Sequence, residues 1–274
     1  MPGLTEVTEQ DIDTPFGAPS DVLLIGTLRG QRVVFLPRHG RGHTLTPSEV
    51  PYRANLYALK TLGVTHVISV SACGSLREDY APGNIVIPDQ IYDHTKAERG
   101  GRSFFGQGIV AHTGVADPFC TELSDVLAES ATRAGGIVHR GGTFITIEGP
   151  RFSTKGESKA YRQLGFDLIG MTAAPEAFLA REAEMCYATL AHVTDYDVWH
   201  DSETVSTDLV MARFHHNLEI AQQTIVEAIT QIATLPRACG CSSALMNAFS
   251  TASNQITIET RTRLAPIIGK YYPA

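Results

Sequence analysis

Short β-branched runs alternate with amphipathic stretches along most of the chain. Residues 21–28 (DVLLIGTL) and 31–38 (QRVVFLPR) flank the turn Arg29-Gly30 and predict a β-hairpin. Residues 52–63 (YRANLYALKTLG) predict a helix that Gly63 stops. Strands are predicted at 65–72 (THVISVSA) and 84–93 (NIVIPDQIYD), and a helix at 119–136 that ends on Gly135-Gly136. Further on come a strand at 141–150, a helix at 154–165, a strand at 167–171, a helix at 174–185 and a strand at 186–195. The longest periodic segment, 207–235, carries Met211, Phe214, Leu218, Ala221, Ile225, Ala228 or Ile229, and Ile232. Steps of three and four residues make these the stripe of an amphipathic helix, read as core packing. This alternation predicts an α/β fold: a single domain over residues 1–274, with a mixed, twisted central sheet flanked by helices on both faces. The stretch 236–274 reads as a C-terminal extension of it. Such sheets bind ligands at the carboxyl ends of their strands.

A chain of 274 residues lies near the upper limit for one core. Its formal net charge of −7 argues against a nucleic-acid or anionic-membrane binder, while leaving room for a local cationic pocket. No apolar stretch reaches the ~20 residues of a membrane span. The acidic opening MPGLTEVTEQDIDTP has no apolar signal core, so a cytoplasmic location is expected. The five cysteines do not suggest a secreted disulfide framework. Cys239-Gly240-Cys241 is a close pair, but zinc would normally need a second Cys or His pair at compatible spacing, and none lies nearby. Two reduced thiols or a local disulfide are expected there, and no metal.

Chemistry-bearing residues gather at the predicted strand ends. Arg38-His39-Gly40-Arg41-Gly42-His43 follows the hairpin. Its glycines make a helix improbable, so the four-residue spacing of His39 and His43 is a poor metal signal. Arg38 suits an anion, since a guanidinium matches phosphate or carboxylate oxygens; a solvated basic turn is the bland alternative. Ser71-Ala72-Cys73-Gly74-Ser75 offers small residues and hydroxyls for a close anion contact, or a plain tight turn. Glu148-Gly149-Pro150-Arg151-Phe152-Ser153 holds either a simple Glu–Arg ion pair or an aromatic face for a planar ring. Met171-Thr172 closes another strand with a thioether beside a hydroxyl. Asp195 and Asp197 end the strand 186–195, and in extended backbone they point the same way. Two carboxylates at one site raise the pKa of at least one, which suits a general acid. The Gly-rich loop 97–108 lacks the Gly-Lys-Ser/Thr ending of a P-loop and reads as an active-site loop or a plain surface loop. An anion site, an aromatic face and a protonated carboxylate together suit cleavage of a nucleoside by phosphate. A serine hydrolase is disfavoured, because no Gly-x-Ser-x-Gly elbow is present.

DTPFGAPSD (13–21), PRHGRGH (37–43), ACGSLRE (72–78), TIEGPRFST (146–154) and TDYDVW (194–199), in that order, resemble the S-methyl-5'-thioadenosine phosphorylases of the trimeric purine nucleoside phosphorylase group. The resemblance implies that Arg38, His39, Ser71, the Ala72 backbone and Thr172 hold phosphate. Met171 and Phe152 would enclose base and ribose. Asp195, Tyr196 and Asp197 would meet adenine, with one aspartate protonating N7; 6-oxopurine relatives typically carry Asn at the second aspartate. Val210 and Met211 would line a 5'-methylthio slot, completed by His112 from a neighbouring subunit of a homotrimer. Ser153 and Thr207 would set preference among purines and 5'-substituents, Thr207 standing where a small apolar residue is expected. Inorganic phosphate is implied as co-substrate, with no cofactor.

Family members open with a strand and a Gly-Gly-Ser/Thr-Gly turn that holds phosphate. Met1-Pro2-Gly3-Leu4 starts after that point, and no Gly-Gly-Ser-Gly occurs in the sequence. The expectation is an upstream start, or a shortened member with impaired turnover that still binds nucleoside. The alternative within the same fold is a phosphorylase of broader or 6-oxopurine preference.

Overall fold

The computed structural model describes residues 1–96, 99, 101–200, 205–216 and 218–273. Strands β1 (Thr5–Gln10), β2 (Leu23–Leu28) and β3 (Gln31–Phe35) form a small antiparallel sheet in that order. The predicted hairpin is its β2–β3 half: Arg29 and Gly30 both have positive φ, 51° and 75°, as a primed two-residue turn requires. Helix α1 (Tyr52–Thr61) and β4 (His66–Ser75) follow, then β5 (Ile85–Ile87) and β6 (Gln90–Asp93). Next are α2 (Thr121–Arg133), β7 (Val138–Arg140), β8 (Thr143–Thr146), α3 (Lys155–Gln163), β9 (Leu168–Gly170), α4 (Ala173–Glu182) and β10 (Cys186–Asp195). Helices α5 (Thr207–His216), α6 (Leu218–Ile232), α7 (Ile258–Arg263) and α8 (Ala265–Ile268) complete the chain.

The seven-stranded main sheet runs β6-β8-β9-β4-β10-β5-β7. It is mixed: β4 and β10 are parallel, while β9 on one side and β5 on the other run antiparallel to them. Every residue of β10 is buried, because helices cover both faces. Tyr187 packs into a cluster with α1 and α4, whereas Cys186, Ala188 and Leu190 pack with α2 and α6. This is the expected α/β sheet with helices on both faces. Away from β10, β4 pairs only through Gly74 and Ser75, so its remaining edge has no ladder partner among the described residues. No helix among the described residues is long and apolar enough to cross a membrane.

Several predicted elements change. The strand expected at 84–93 breaks at Pro88, which cannot donate to a ladder; β5 joins β10, while β6 crosses to the far edge beside β8. The helix expected over 207–235 is two, α5 and α6, with residue 217 outside the described residues. Its stripe is only partly core: Ala221 and Ala228 are buried, but Met211, Ile225, Ile229 and Ile232 line a cavity. The side chain of Phe214 lies outside the described residues. In the loop 97–108, residues 97, 98 and 100 are likewise outside them, yet Arg99 and Phe104 are buried, so the segment is not a plain surface loop. Strand β1 had no counterpart in the hydrophobic pattern, since all six of its residues are exposed.

The C-terminal stretch is part of the main core. Leu245, Leu264, Ile267 and Ile268 pack with α1 and α4 residues. Glu184, in the turn before β10, gathers the Leu245 N–H, the Tyr271 hydroxyl and the Lys270 ammonium. Ile268→Ala is therefore expected to destabilise the protein by about 2–5 kcal/mol, the cost of a cavity in a packed core. A shift in the urea midpoint reads this; an unchanged midpoint would mean the stretch is only loosely attached.

Candidate active site

A cavity of about 920 Å³ opens where β4, β9 and β10 end, bordered by β3, α5 and α6. Of the sequence-predicted residues it brings together Arg38, His39, Ser71, Ala72, Phe152, Ser153, Met171, Thr172, Asp195, Asp197, Thr207, Val210 and Met211. Two predicted residues do not line it. Tyr196 turns away, its hydroxyl donating to the Glu78 carbonyl at 3.0 Å and its ring packing on Trp199 and His200. His112 is exposed, tied by its backbone to Ala248.

Arg38 leaves the end of β3 as the cationic corner. Its Nε and Nη2 donate to the two carboxylate oxygens of Glu176 at 2.6 and 2.9 Å, and Nη2 also donates to the Ser69 hydroxyl at 2.5 Å. Burial disfavours the guanidinium charge, but the Glu176 carboxylate outweighs it and holds Arg38 above its ordinary range. Tyr187 donates a further hydrogen bond to Glu176 at 2.7 Å. The corner is thus rigid and fully charged. Sequence reasoning did not find Glu176; the available signal was one carboxylate inside the apolar run Ala173–Leu179. His39 Nδ1 lies 2.9 Å from the Leu45 carbonyl and so must carry the hydrogen there. Burial, aided by Arg38 and His43, pushes its pKa down, leaving a neutral ring with a bare Nε2. The His39 and His43 rings stack at 4.3 Å, an aromatic contact rather than a metal-ligand pair.

The acid pair is built differently from the extended strand the sequence suggested. Strand β10 ends at Asp195, and Asp197 has φ +50°, so period-two alternation does not carry past the strand. Asp195 organises the turn: Oδ1 accepts the Asp197 N–H and Oδ2 the Thr194 hydroxyl, both at 2.8 Å. Asp197 Oδ2 is buried and has no hydrogen-bond partner. Burial raises the pKa of both carboxyls. The hydroxyls of Ser153 and Ser158 lie beside Asp197 and oppose that rise only in part. Gly74 makes room for the pair; a Cβ there would sit 2.9 Å from Asp195 Oδ1 and 3.3 Å from Asp197 Cβ. Arg213 donates to the Thr194 carbonyl at 2.8 Å and ties α5 to this end of β10.

Of the two readings of this motif, the Glu148–Arg151 ion pair does not form. Arg151 pairs with Glu157 beside the N-terminus of α3, while Glu148 accepts from Ser48, the Lys96 N–H and Arg99. Arg99, 1% exposed, was not legible as a site residue. Its guanidinium donates to the carbonyls of Met171, Ala174, Ile147 and Glu148, clamping the ends of β8 and β9 against α4.

A fixed guanidinium and a buried carboxyl with one unpartnered oxygen on one cavity are the two halves of a phosphorolytic site: one for the anion, one for the leaving group. The comparisons agree with that class. The model of the phosphorylase superfamily matches residues 1–230. The S-methyl-5'-thioadenosine phosphorylase of Geobacter sulfurreducens is 53% identical, covering 99% of this chain and 94% of the relative. That of Chloroflexus aurantiacus is also 53% identical, with the same coverage. A methylthioadenosine phosphorylase structure from an Antarctic soil metagenomic library superposes with TM-score 0.93 at 49% identity, covering 97% of this chain and 94% of that one. The Schistosoma mansoni enzyme in complex with adenine superposes with TM-score 0.86 at 35% identity, covering 91% and 96%. The chain belongs to the phosphorylase superfamily.

An aspartate whose pKa folding raises adds stability below its unfolded pKa, about 4, and loses it as pH rises through the folded value. Asp197→Asn is therefore expected to be more stable than the parent at pH 8, the gain vanishing below about pH 4. Denaturant titrations at both pH values check this. Equal stability at pH 8 would show that Asp197 carries no burial cost.

Proposed function

We propose that this chain cleaves S-methyl-5'-thioadenosine with inorganic phosphate, giving adenine and 5-methylthioribose 1-phosphate. The observation that carries the mechanism is the buried, unpartnered Asp197 Oδ2 on the cavity that also holds the charged Arg38. Arg38, the Ser71 hydroxyl, the Ala72 backbone and Thr172 bind phosphate, and His39 Nε2 accepts from a phosphate hydroxyl. The unpaired edge of β4 leaves further backbone donors toward this corner. Phe152 and Met171 enclose base and ribose.

Asp197 is the proton carrier. Its raised pKa favours the protonated form, which donates to N7 as the glycosidic bond lengthens. Adenine then departs without carrying a full negative charge. The sugar becomes oxocarbenium-like, and the phosphate held at Arg38 stabilises it and closes on C1'. Asp195 fixes the Asp197 turn and keeps lone pairs for the 6-amino group. Val210 and Met211 give the 5'-methylthio group an apolar slot. Thr207, a polar residue lining the same cavity, supports adenosine as a second substrate. The enzyme acts in the cytoplasm as a homotrimer, with the exposed His112 of one copy completing the site of the next. The chemistry uses phosphate and no organic cofactor.

Adenine release from S-methyl-5'-thioadenosine, followed chromatographically with and without phosphate, tests this. Release is expected only with phosphate; equal release without it would make the enzyme a hydrolase, and none in either buffer a binding protein. Asp197→Ala should lower turnover at least about 100-fold, the usual worth of a general acid. Asp197→Asn should move preference toward 6-oxopurine nucleosides, whose ring N–H and 6-oxo group suit an amide. Unchanged adenine release by both variants would remove Asp197 from the chemistry.

A further inference from the structure

We propose that Cys120, Cys186, Cys239 and Cys241 form a structural zinc site that fastens the C-terminal stretch to the main sheet. The four come from three places. Cys120 immediately precedes α2, Cys186 opens β10, and Cys239 and Cys241 flank Gly240 where the C-terminal stretch begins. Their Sγ atoms all lie within 4.8 Å of one another, with Cys186 and Cys239 at 3.4 Å, and none is in a disulfide. Four thiolates about 2.3 Å from a tetrahedral zinc stand about 3.8 Å apart, so the cluster closes on the ion with small side-chain adjustments. Three of the cysteines are buried, and Cys239 is half-buried, which leaves an entry path.

The surroundings suit the charge that would form. Zn²⁺ displaces a proton from each thiol, and the resulting ZnS₄ centre carries two negative charges. Arg181 already donates to Cys241 Sγ at 3.4 Å. Arg237 adjoins Cys186 and Cys239, and its buried Nε–H makes no hydrogen bond. Cys120 sits at the positive end of α2, which favours a thiolate. An all-sulfur donor set selects zinc over magnesium, calcium or manganese. With four protein ligands the ion has no open position, so its role is structural. Cys186 and Asp195 are the two ends of β10, about 30 Å apart at the rise of a strand, so the ion takes no part in the cleavage chemistry.

The test uses the whole chain, expressed with zinc in the medium and purified with reductant and without chelator. Elemental mass spectrometry should find stoichiometric zinc, reduced at least about tenfold in Cys239→Ser/Cys241→Ser. Cobalt exchanged for zinc should give the thiolate-to-metal and visible bands of a tetrahedral site in the parent and not in the variant. Chelator should lower the thermal midpoint of the parent but not of the variant. Adenine release by the chelated protein below that midpoint should stay within about twofold, which keeps this test independent of the catalytic reading. Substoichiometric zinc with four alkylatable thiols would overturn the proposal. So would an intact mass showing the thiols joined as disulfides.

Discussion

The Arg38–Glu176 pair is the constraint on which the site is built. It joins the exit of β3 to α4, and through Ser69 and Tyr187 it reaches β4 and β10. Four elements from three separate stretches of the chain therefore meet around one bidentate contact. Both charges are largely withdrawn from water, so each depends on the other; removing one partner of such a pair costs about 3–5 kcal/mol, because the survivor is left buried and uncompensated. The same arrangement serves an incoming anion. A guanidinium already oriented by a carboxylate loses little side-chain entropy when phosphate arrives. It also cannot lose its proton.

Strand β10 carries two kinds of chemistry at its two ends. Its interior is buried on both faces and holds to the strand pattern, which gives its termini fixed positions. At the carboxyl end the backbone leaves the sheet through an Asp195-centred turn, and that turn aims Asp197. Asp195 spends oxygen lone pairs on the turn, while Asp197 keeps an unsatisfied buried oxygen. The strain of positive φ at Asp197 is held by this hydrogen bond and by the neighbouring glycine space at Gly74. At the amino end Cys186 stands among three other thiols, beside cations that would balance a thiolate cluster.

Much of this was legible along the chain. The apolar run placed β10 at its observed bounds, and the Arg29-Gly30 turn and the stop at Gly63 rest on local backbone preferences. The strand-end motifs named most of the cavity's lining, because ligands gather where strands end and the residues there are freed from packing. Period-two reasoning failed for the acid pair only where the strand stopped and a turn took over. The C-terminal stretch was opaque for a different reason. Its apolar residues follow no clean period, since short helices and turns pack them against α1 from several directions.

What the sequence determined by itself were the properties set by neighbours within a few residues: element type, turn positions, and which polar side chains end the strands. Only the tertiary structure decided the partnerships across long separations. Glu176 meets Arg38 across 138 residues, Arg99 clamps carbonyls from two distant segments, and Cys120 and Cys186 join a Cys-Gly-Cys pair that seemed alone. Local backbone preferences carry no information about such meetings. They arise because burying one sheet between two helical layers brings its strand ends to common points, and there a charge or thiol withdrawn from water must find its partner.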